Sequence, residues 1–324
     1  MADLATPMAI RVAATLRLAD HVADGRRTAG EIAEAAGVHP DSLDRVMRHL
    51  VTAGLFTRDD SGAYTVTGIG EQLREEHPGG RRKWLDINGG VGRGDLSFVD
   101  LEHSVRTGEP SYPVRYGVPF WDDLDANPVL SASFDALMSH HIELDNRGIV
   151  GAYDWASLGH VVDVGGGSGA MLGALLAGHP EVRGTLVDLA GPAANARQRF
   201  LAQGLSDRVQ VVTGSFFDPL PAGAGGYVLS AIIHDWDDEP AISILRRCAE
   251  AAGDSGVVLV IEAVGADGES PDTAMDLRML TYCGGRERGV GELRTLAAKA
   301  GLDLRAVHPV GHKSFMSIIE LVRA

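Results

Sequence analysis

Short apolar runs, separated by helical or polar segments, fill the second half of the chain. They are rich in β-branched residues and cover residues 160–164, 184–188, 208–214, 226–233 and 257–262. This alternation predicts parallel strands whose crossovers cover both faces of a sheet. Two last runs, 302–307 and 314–320, have only a short turn between them, which permits a hairpin and no crossover. We therefore expect an α/β fold with a parallel sheet that includes one antiparallel strand.

The first part of the chain, from Leu4 to about His77, has apolar positions at helical spacing and then a hairpin pattern. Thr28 is placed to cap a helix over residues 29–36, and a second helix runs from Pro40 towards Gly54. Two short strands, residues 55–58 and 63–66, flank a turn. This order predicts a mainly helical winged-helix domain.

Two functions compete for the winged helix. Arg45, Arg48 and His49 on its second helix are the residues that would contact DNA. The chain has 29 Lys and Arg against 44 Asp and Glu, a net charge of −15, which opposes binding to nucleic acid or to an anionic membrane. The sequence therefore favours a dimerisation module.

Periodic apolar positions already begin at Met8, close to the terminus, which suggests that an upstream helix is missing. From Trp84 to Trp155, helical segments alternate with turns, and residues 134–144 form an amphipathic helix. The adjacent His140 and His141 point in different directions on that helix, so we expect no shared metal ion. We place a dimerisation domain at 1–95 and a second domain at 96–324, with a helical linker at about 96–155.

The cellular location is predicted from what the sequence lacks. No apolar run is long enough to span a bilayer, and the opening residues lack the basic segment of a secretory signal. The two cysteines, Cys248 and Cys283, are too few for a disulfide framework or a cysteine-built zinc site. We expect a cytoplasmic protein with no metal.

Residues 163–172 read Asp-Val-Gly-Gly-Gly-Ser-Gly-Ala-Met-Leu, a strand that turns through glycines into a helix and suits a nucleotide-containing ligand. Gly165, Gly167 and Ala170 also satisfy the dinucleotide pattern, so NAD competes with S-adenosylmethionine. Asp163 could accept a hydrogen bond from the ammonium that the methyl donor carries and NAD lacks. The sequence favours the methyl donor.

Polar residues follow the predicted strands at their carboxyl ends, where open α/β sheets bind ligands. Asp188 could hold ribose hydroxyls, while Ser215 and Phe216 could flank an adenine. His234 and Trp236 bring an imidazole and an indole to the end of a fourth strand. These residues predict a catalytic edge of the sheet.

Three motifs in this order after a winged helix resemble one family. They are residues 162–169, the stretch 233–239 that reads Ile-His-Asp-Trp-Asp-Asp-Glu, and the stretch 284–288 that reads Gly-Gly-Arg-Glu-Arg. The chain resembles the class I S-adenosylmethionine-dependent O-methyltransferases of the caffeate and hydroxyindole type. Within that family it is similar to bacterial naphthoic acid O-methyltransferases of antitumour antibiotic biosynthesis. The resemblance implies a Rossmann-like methyltransferase sheet, a homodimer formed through the N-terminal domain, and S-adenosylhomocysteine as product.

The resemblance assigns residues to the donor. Gly165, Gly167 and their neighbours would hold the methionine part, Asp188 the ribose, and Ser215 with Phe216 the adenine edge. It also places Leu189, Ser230 and Trp236 at the donor. Ser215 and Ser230 depart from relatives that have an acidic residue and a lysine at these positions.

The resemblance also assigns the acceptor site. His234 would be the general base, oriented by Glu262 and Glu287, since an imidazole of pKa about 6.5 can accept a phenol proton at neutral pH. Met138 and Met279 would clasp a small aromatic acceptor, with Phe134 and Tyr282 beside it.

Several alternatives stay open at this point. Arg11 and Arg115 are each able to pair with an acceptor carboxylate. Which hydroxyl is methylated, and whether proximity alone suffices for catalysis, is not fixed by these residues. A ligand-sensing winged-helix transcription regulator and a nicotinamide-dependent oxidoreductase are the rival functions.

Overall fold

The computed structural model divides into two compact units. The first comprises Met1–Leu96 and Ala132–Leu137, and the second comprises Ser97–Ser131 and Met138–Ala324. The structure describes residues 3–311 and 315–324, and the side chains of residues 141–145 lie outside that description. Two positions used in the sequence predictions are affected. The side chain of His141 is not described, and Ser314 lies outside the described residues.

The first unit is mainly helical, as predicted. Its elements are α1 (Ala5–Thr15), α2 (Leu18–Ala23), α3 (Ala29–Ala36), α4 (Pro40–Thr52), β1 (Phe56–Arg58), β2 (Tyr64–Val66), α5 (Arg81–Leu85) and α6 (Gly90–Asp95). β1 and β2 form the predicted antiparallel hairpin. Thr28 caps α3 in a full capping box with Glu31, so the predicted start of this helix is confirmed.

Two features of the first unit bear on the sequence predictions. Asp3 accepts a hydrogen bond from the Ala5 N–H at 3.0 Å at the start of α1, and the fully buried Ala13 and Ala14 pack this helix into the core. On α4, Arg45 pairs with Asp41 at 2.9 Å and Arg48 with Asp44 at 3.0 Å. These carboxylates offset the positive charge that a DNA-binding helix would present.

The second unit contains the remaining elements. Its helices are α7 (Leu101–Thr107), α8 (Tyr112–Tyr116), α9 (Phe120–Ala126), α10 (Pro128–Gly151, in part), α11 (Ala170–Gly178), α12 (Ala190–Ala202), α13 (Asp238–Ala252), α14 (Thr273–Tyr282) and α15 (Val290–Lys299). α10 begins earlier than the sequence predicted, at Pro128 rather than near residue 134. The reason is a cap, since Asn127 accepts hydrogen bonds from the Val129 and Leu130 N–H groups.

A mixed sheet forms the centre of this unit. Its strands are β3 (His160–Val164), β4 (Arg183–Asp188), β5 (Val209–Thr213), β6 (Gly226–Ser230), β7 (Val257–Ala263), β8 (Leu302–Pro309) and β9 (Met316–Arg323). The order is β5-β4-β3-β6-β7-β9-β8, and all neighbours are parallel except β9, which runs antiparallel to β7 and β8. The predicted parallel sheet with one antiparallel strand is confirmed.

Apolar side chains cover both faces of the sheet. Alternate residues of one strand point to opposite faces, so Val162 and Val164 join one apolar cluster while Val161 joins the other. Within the described chain, no helix combines the length and apolar composition needed to cross a bilayer.

Replacing Arg208 by methionine is expected to lower the free energy of unfolding by about 2 kcal/mol. The guanidinium donates to the carbonyl oxygens of Leu176, His179, Pro180 and Val182, at 2.7 to 3.2 Å, and so closes the end of α11 against the start of β4. Chemical denaturation measures the loss. The matched control is methionine at the nearby exposed Arg183, where unfolding stays within about 0.5 kcal/mol of wild type; equal losses would show that the carbonyl contacts contribute nothing.

Candidate active site

The glycine segment between β3 and α11 turns as tightly as the sequence predicted. Gly165, Gly167 and Gly169 all have positive φ, at 72°, 59° and 77°. A Cβ at Gly165 would lie 2.7 Å from Ile232 Cδ1, and one at Gly166 would lie 2.5 Å from Asp163 Oδ2. Side chains at residues 165 and 166 would clash with neighbouring atoms. Glycines keep the backbone free of side chains there, so that a ligand can approach it closely.

Asp188 lies where β4 ends, across from the glycine segment. Its carboxylate accepts hydrogen bonds from the Gly167 N–H and the Leu189 N–H, each at 2.7 Å. Burial raises the pKa of Asp188 above its ordinary value, although these two bonds oppose the increase. A carboxylate has about four acceptor positions, so it retains capacity for ribose hydroxyls.

Asp163 is almost completely buried under the glycine segment, with 1% of its surface exposed. Its Oδ2 has no hydrogen-bond partner among the described residues. Burial raises the pKa of Asp163 to about 7, and the neighbouring charge of Asp188 adds to the increase. A buried, unpartnered carboxylate oxygen needs a cationic donor, which is what an amino-acid ammonium supplies.

The residues predicted to surround an adenine form an aromatic group. Phe216 Cδ1 would lie 3.3 Å from a Cβ at Gly165, so this ring borders the glycine segment. Phe216 and Trp236 meet edge to face with ring centroids 5.9 Å apart. Ser215 Oγ accepts from the Phe217 N–H at 3.2 Å and so holds the turn. Leu189 is partly exposed, and Ser230 Oγ is buried without a partner among the described residues.

A strained turn places His234 at the end of β6. Ala231, directly after the strand, has φ of 52°, a left-handed conformation that is unfavourable for a residue with a Cβ. A short 3-10 turn over Ile233–Asp235 follows. Arg288, 4% exposed, donates to the carbonyl oxygens of Ile233 and Trp236 at 3.0 and 2.8 Å and thereby brackets this turn.

Three carboxylates surround the His234 imidazole. Its Nδ1 lies 2.9 Å from Glu287 Oε1 and 3.6 Å from Glu262 Oε2, and its Nε2 lies 3.5 Å from Asp235 Oδ1. Glu262 also accepts from the backbone N–H groups of residues 232–234 through Oε1, at 2.8 to 3.3 Å. The structure therefore brings the predicted catalytic residues together.

These carboxylates change the proton affinity of the imidazole. Burial lowers the pKa of His234, but the charges of Glu262, Asp235 and Glu287 outweigh burial and raise that pKa to about 10. The sequence argument had used the ordinary value near 6.5, which takes no account of three buried neighbours. His234 is thus a stronger base than the sequence suggested, and it holds its proton at neutral pH.

The sequence analysis missed two carboxylates of this site. Asp235 is 9% exposed and faces the Nε2 edge of His234, and its adjacency to His234 in the chain was the available signal. Asp276 on α14 accepts from the Glu287 N–H at 2.8 Å and fixes the backbone that bears that glutamate. Nothing in the sequence pairs Asp276 with Glu287.

The predicted acceptor residues are divided between the two units. In the second unit, Met279 and Tyr282 lie three positions apart on α14 and are both buried, while Met138 is half-buried on α10. Arg11 and Phe134 belong to the first unit, where Arg11 pairs with the buried Asp95. Arg115, the other candidate for an acceptor carboxylate, lies 3.5 Å from Asp100 and has a carboxylate partner already.

Comparison with known families decides what this site belongs to. Residues 98–303 match the O-methyltransferase domain, and residues 1–75 match the O-methyltransferase dimerisation domain. The chain belongs to the O-methyltransferase family. This membership confirms the resemblance drawn from the three motifs, and with it the Rossmann-like methyltransferase fold.

Individual relatives of this O-methyltransferase cover almost its full length. It is 68% identical over 321 residues, 99% of the chain and 96% of the relative, to the 2,7-dihydroxy-5-methyl-1-naphthoate 7-O-methyltransferase of Streptomyces carzinostaticus. A crystal structure of an O-methyltransferase from neocarzinostatin biosynthesis, with S-adenosylmethionine and 2-hydroxy-5-methyl naphthoic acid, matches with a TM-score of 0.96. That match has 67% identity and covers 100% of this chain and 97% of the other.

One relative differs in its chemistry. The aclacinomycin 10-hydroxylase of Streptomyces purpurascens is 45% identical over 317 residues, 96% of this chain and 85% of the relative. The family match and the 68% identity to a named O-methyltransferase nevertheless identify this chain as an S-adenosylmethionine-dependent O-methyltransferase. Neither rival function from the sequence, a transcription regulator or a nicotinamide-dependent oxidoreductase, is supported by these comparisons. Among the described residues, no group of three His, Cys, Asp or Glu side chains could hold a metal ion.

Proposed function

We propose that this O-methyltransferase transfers the methyl group of S-adenosylmethionine to a phenolic hydroxyl of a polyketide-derived aromatic acid of the hydroxynaphthoate type. The single observation that supports methyl transfer best is His234, held between carboxylates at the end of β6. A phenol must lose its proton to become a good nucleophile, and His234 is placed to accept it. Two relatives support this class of acceptor. One is the 68% identical naphthoate methyltransferase, and the other is the related O-methyltransferase whose crystal structure contains a naphthoic acid.

The bound donor supplies an electrophilic methyl group and leaves as S-adenosylhomocysteine. Asp163 would pair with its ammonium, Asp188 would hold the ribose hydroxyls, and Phe216 with Trp236 would border the adenine. Ser230, with its unpartnered Oγ, and Leu189 complete the proposed donor site. The opposite charges of a sulfonium and a phenolate are partly neutralised in the transition state and disappear in the products, so buried apolar surroundings favour the transition state over the solvated ions.

His234 Nε2 would take the phenol proton while Nδ1 donates to Glu287. The carboxylates of Glu287 and Glu262 hold the ring and stabilise the imidazolium that results. Met279, Tyr282 and Met138 would contact the aromatic ring of the acceptor from the second unit. Phe134 and Arg11 belong to the first unit, and their contacts with the ring and the carboxylate of the acceptor stay predictions of the sequence.

For the assembly and the cellular location we propose what the sequence predicted. The match of residues 1–75 to a dimerisation domain supports a homodimer that forms through the first unit. Absence of nucleic-acid binding and a cytoplasmic location stay predictions. The test for the assembly is the mass of the purified protein by light scattering, where a monomer at micromolar concentration would contradict it.

A product assay tests the reaction. The enzyme is incubated with S-adenosylmethionine and a panel of hydroxynaphthoic acids, and the products are analysed by mass spectrometry, which separates methylated from hydroxylated products. We expect methylated naphthoates and an equal amount of S-adenosylhomocysteine. A hydroxylated product, or turnover that requires a nicotinamide, would overturn the proposal.

Replacing Gly166 by alanine is expected to weaken the binding of S-adenosylhomocysteine about tenfold or more. The added Cβ would lie 2.5 Å from Asp163 Oδ2 and 2.8 Å from Leu186 Cδ1, so the buried carboxylate has to move. Isothermal titration calorimetry measures the affinity. The control is alanine at Gly151, where a Cβ meets no atom within 4 Å; unchanged affinity in both variants would place the donor away from the glycine segment.

A further inference from the structure

One face of α10 lies along the glycine segment and the start of α11. Ser139 Oγ is 2.5 Å from Ser168 Oγ in that segment. Asn146 lies two turns further along the same face, and its Nδ2 donates to the carbonyl oxygen of Ala170, the first residue of α11, at 3.4 Å. Ile149, one turn later, packs in the apolar cluster that includes Met171. Side chains on this face are therefore next to the proposed methionine end of the donor site.

Asn146 has a buried acceptor without a partner. The residue is 7% exposed, and its Oδ1 has no hydrogen-bond partner among the described residues. A buried carbonyl oxygen that stays unpaired is unfavourable, so a donor is expected to meet it. Asp163 Oδ2, under the glycine segment, is unpaired in the same way. Two acceptors therefore flank one loop, and neither meets an N–H group among the described residues.

We propose that Asn146 is a donor-binding residue, whose Oδ1 accepts a hydrogen bond from the ammonium of the methionine part of S-adenosylmethionine alongside Asp163. This inference rests on the proposed function, because it takes the methyl donor as the ligand. An ammonium has three N–H groups and suits several acceptors at once. A neutral amide at residue 146 adds an acceptor without adding a third buried negative charge to those of Asp163 and Asp188.

Two nucleosides, each titrated into the intact protein, test the assignment of Asn146 as a donor-binding residue. S-Adenosylhomocysteine has the ammonium and carboxylate, whereas methylthioadenosine has the same adenosine and sulfur without them. Calorimetry measures both affinities for wild type and for Asn146→Leu, which keeps the volume and removes the amide. We expect the variant to bind S-adenosylhomocysteine about tenfold or more weakly. Methylthioadenosine should bind it within about twofold of wild type, because that ligand has no ammonium.

The outcomes separate the two proposals. If wild type binds neither nucleoside, the proposed function fails. If wild type binds both and Asn146→Leu weakens both equally, Asn146 only ties α10 to α11 through Ala170, and the assignment is overturned. No change for either ligand, as when a water meets Oδ1 instead, overturns it as well. Methylthioadenosine binding also shows that the variant is folded, and Asn146→Ala replaces it if Asn146→Leu does not fold.

Ser139→Ala is the matched control. It loosens the same face of α10 against the same glycine segment by removing the contact with Ser168. It leaves Asn146 Oδ1 and Asp163 Oδ2 in place, so any change in affinity should be equal for the two nucleosides. A selective loss of S-adenosylhomocysteine binding in Ser139→Ala that matches the loss in Asn146→Leu would show that helix position, and not the amide oxygen, decides the effect.

Discussion

Replacing His234 by alanine is expected to lower the kcat for methyl transfer by about 100- to 10,000-fold. In the proposed mechanism the His234 Nε2 accepts the phenol proton, and alanine removes this base while leaving the surrounding carboxylates in place. The residues proposed to hold the donor, among them Asp163, Asp188 and Phe216, do not include His234. Turnover is measured by mass spectrometry at saturating donor and acceptor.

Two controls make the His234 result interpretable. The affinity for S-adenosylhomocysteine should stay within about twofold of wild type, which shows that the donor site is intact. His179→Ala removes a histidine at the far end of α11, near Glu181, and should leave kcat unchanged. A His234→Ala enzyme with wild-type turnover would mean that proximity and desolvation suffice and that the base assignment is wrong.

The pH profile is the second large effect. The kcat/KM for the acceptor is expected to rise about tenfold per pH unit from pH 7 towards about 10. The pKa of His234 is raised to about 10, so the resting imidazole holds a proton at neutral pH that must leave before a phenol can transfer its own. Methyl transfer can start from a neutral imidazole beside a phenol or from an imidazolium beside a phenolate. These two states contain the same number of protons, one fewer than the resting site, so both pathways predict this rise. Circular dichroism at each pH confirms that the fold persists.

Glu287→Gln sharpens the pH test. It keeps a hydrogen-bond acceptor near Nδ1 but removes a negative charge 2.9 Å from the ring. With less to stabilise the imidazolium, the pKa of His234 should fall, and the rising limb should move down by about one pH unit or more. A profile that is already flat above pH 7 in wild type would show that the carboxylates do not raise this pKa.

Local patterns in the chain predicted most of the fold. The Thr28 cap of α3, the alternation of strands with crossovers, and the antiparallel pairing of the last two strands are all encoded by neighbouring residues, and the structure confirms them. The start of α10 was placed too late because the Asn127 cap lies before any apolar periodicity begins.

The site was predictable where strand ends and motifs coincide. Asp188 and His234 follow strands, so their positions at one edge of the sheet could be inferred. The pKa of His234 could not, since it depends on Asp235, Glu262 and Glu287 meeting in a buried space. Asp276 and Asn146 act across distances in the chain that leave no local pattern, and only the packing of α14 and α10 reveals them.

A crystal structure with S-adenosylhomocysteine and a hydroxynaphthoic acid tests the central claim most directly. The account predicts the nucleoside over the glycine segment, with its ammonium at Asp163 and its ribose at Asp188. It also predicts a naphthoate hydroxyl within about 3.2 Å of His234 Nε2 and facing the sulfur. A hydroxyl that points away from His234, or a nucleoside bound elsewhere, would contradict the account.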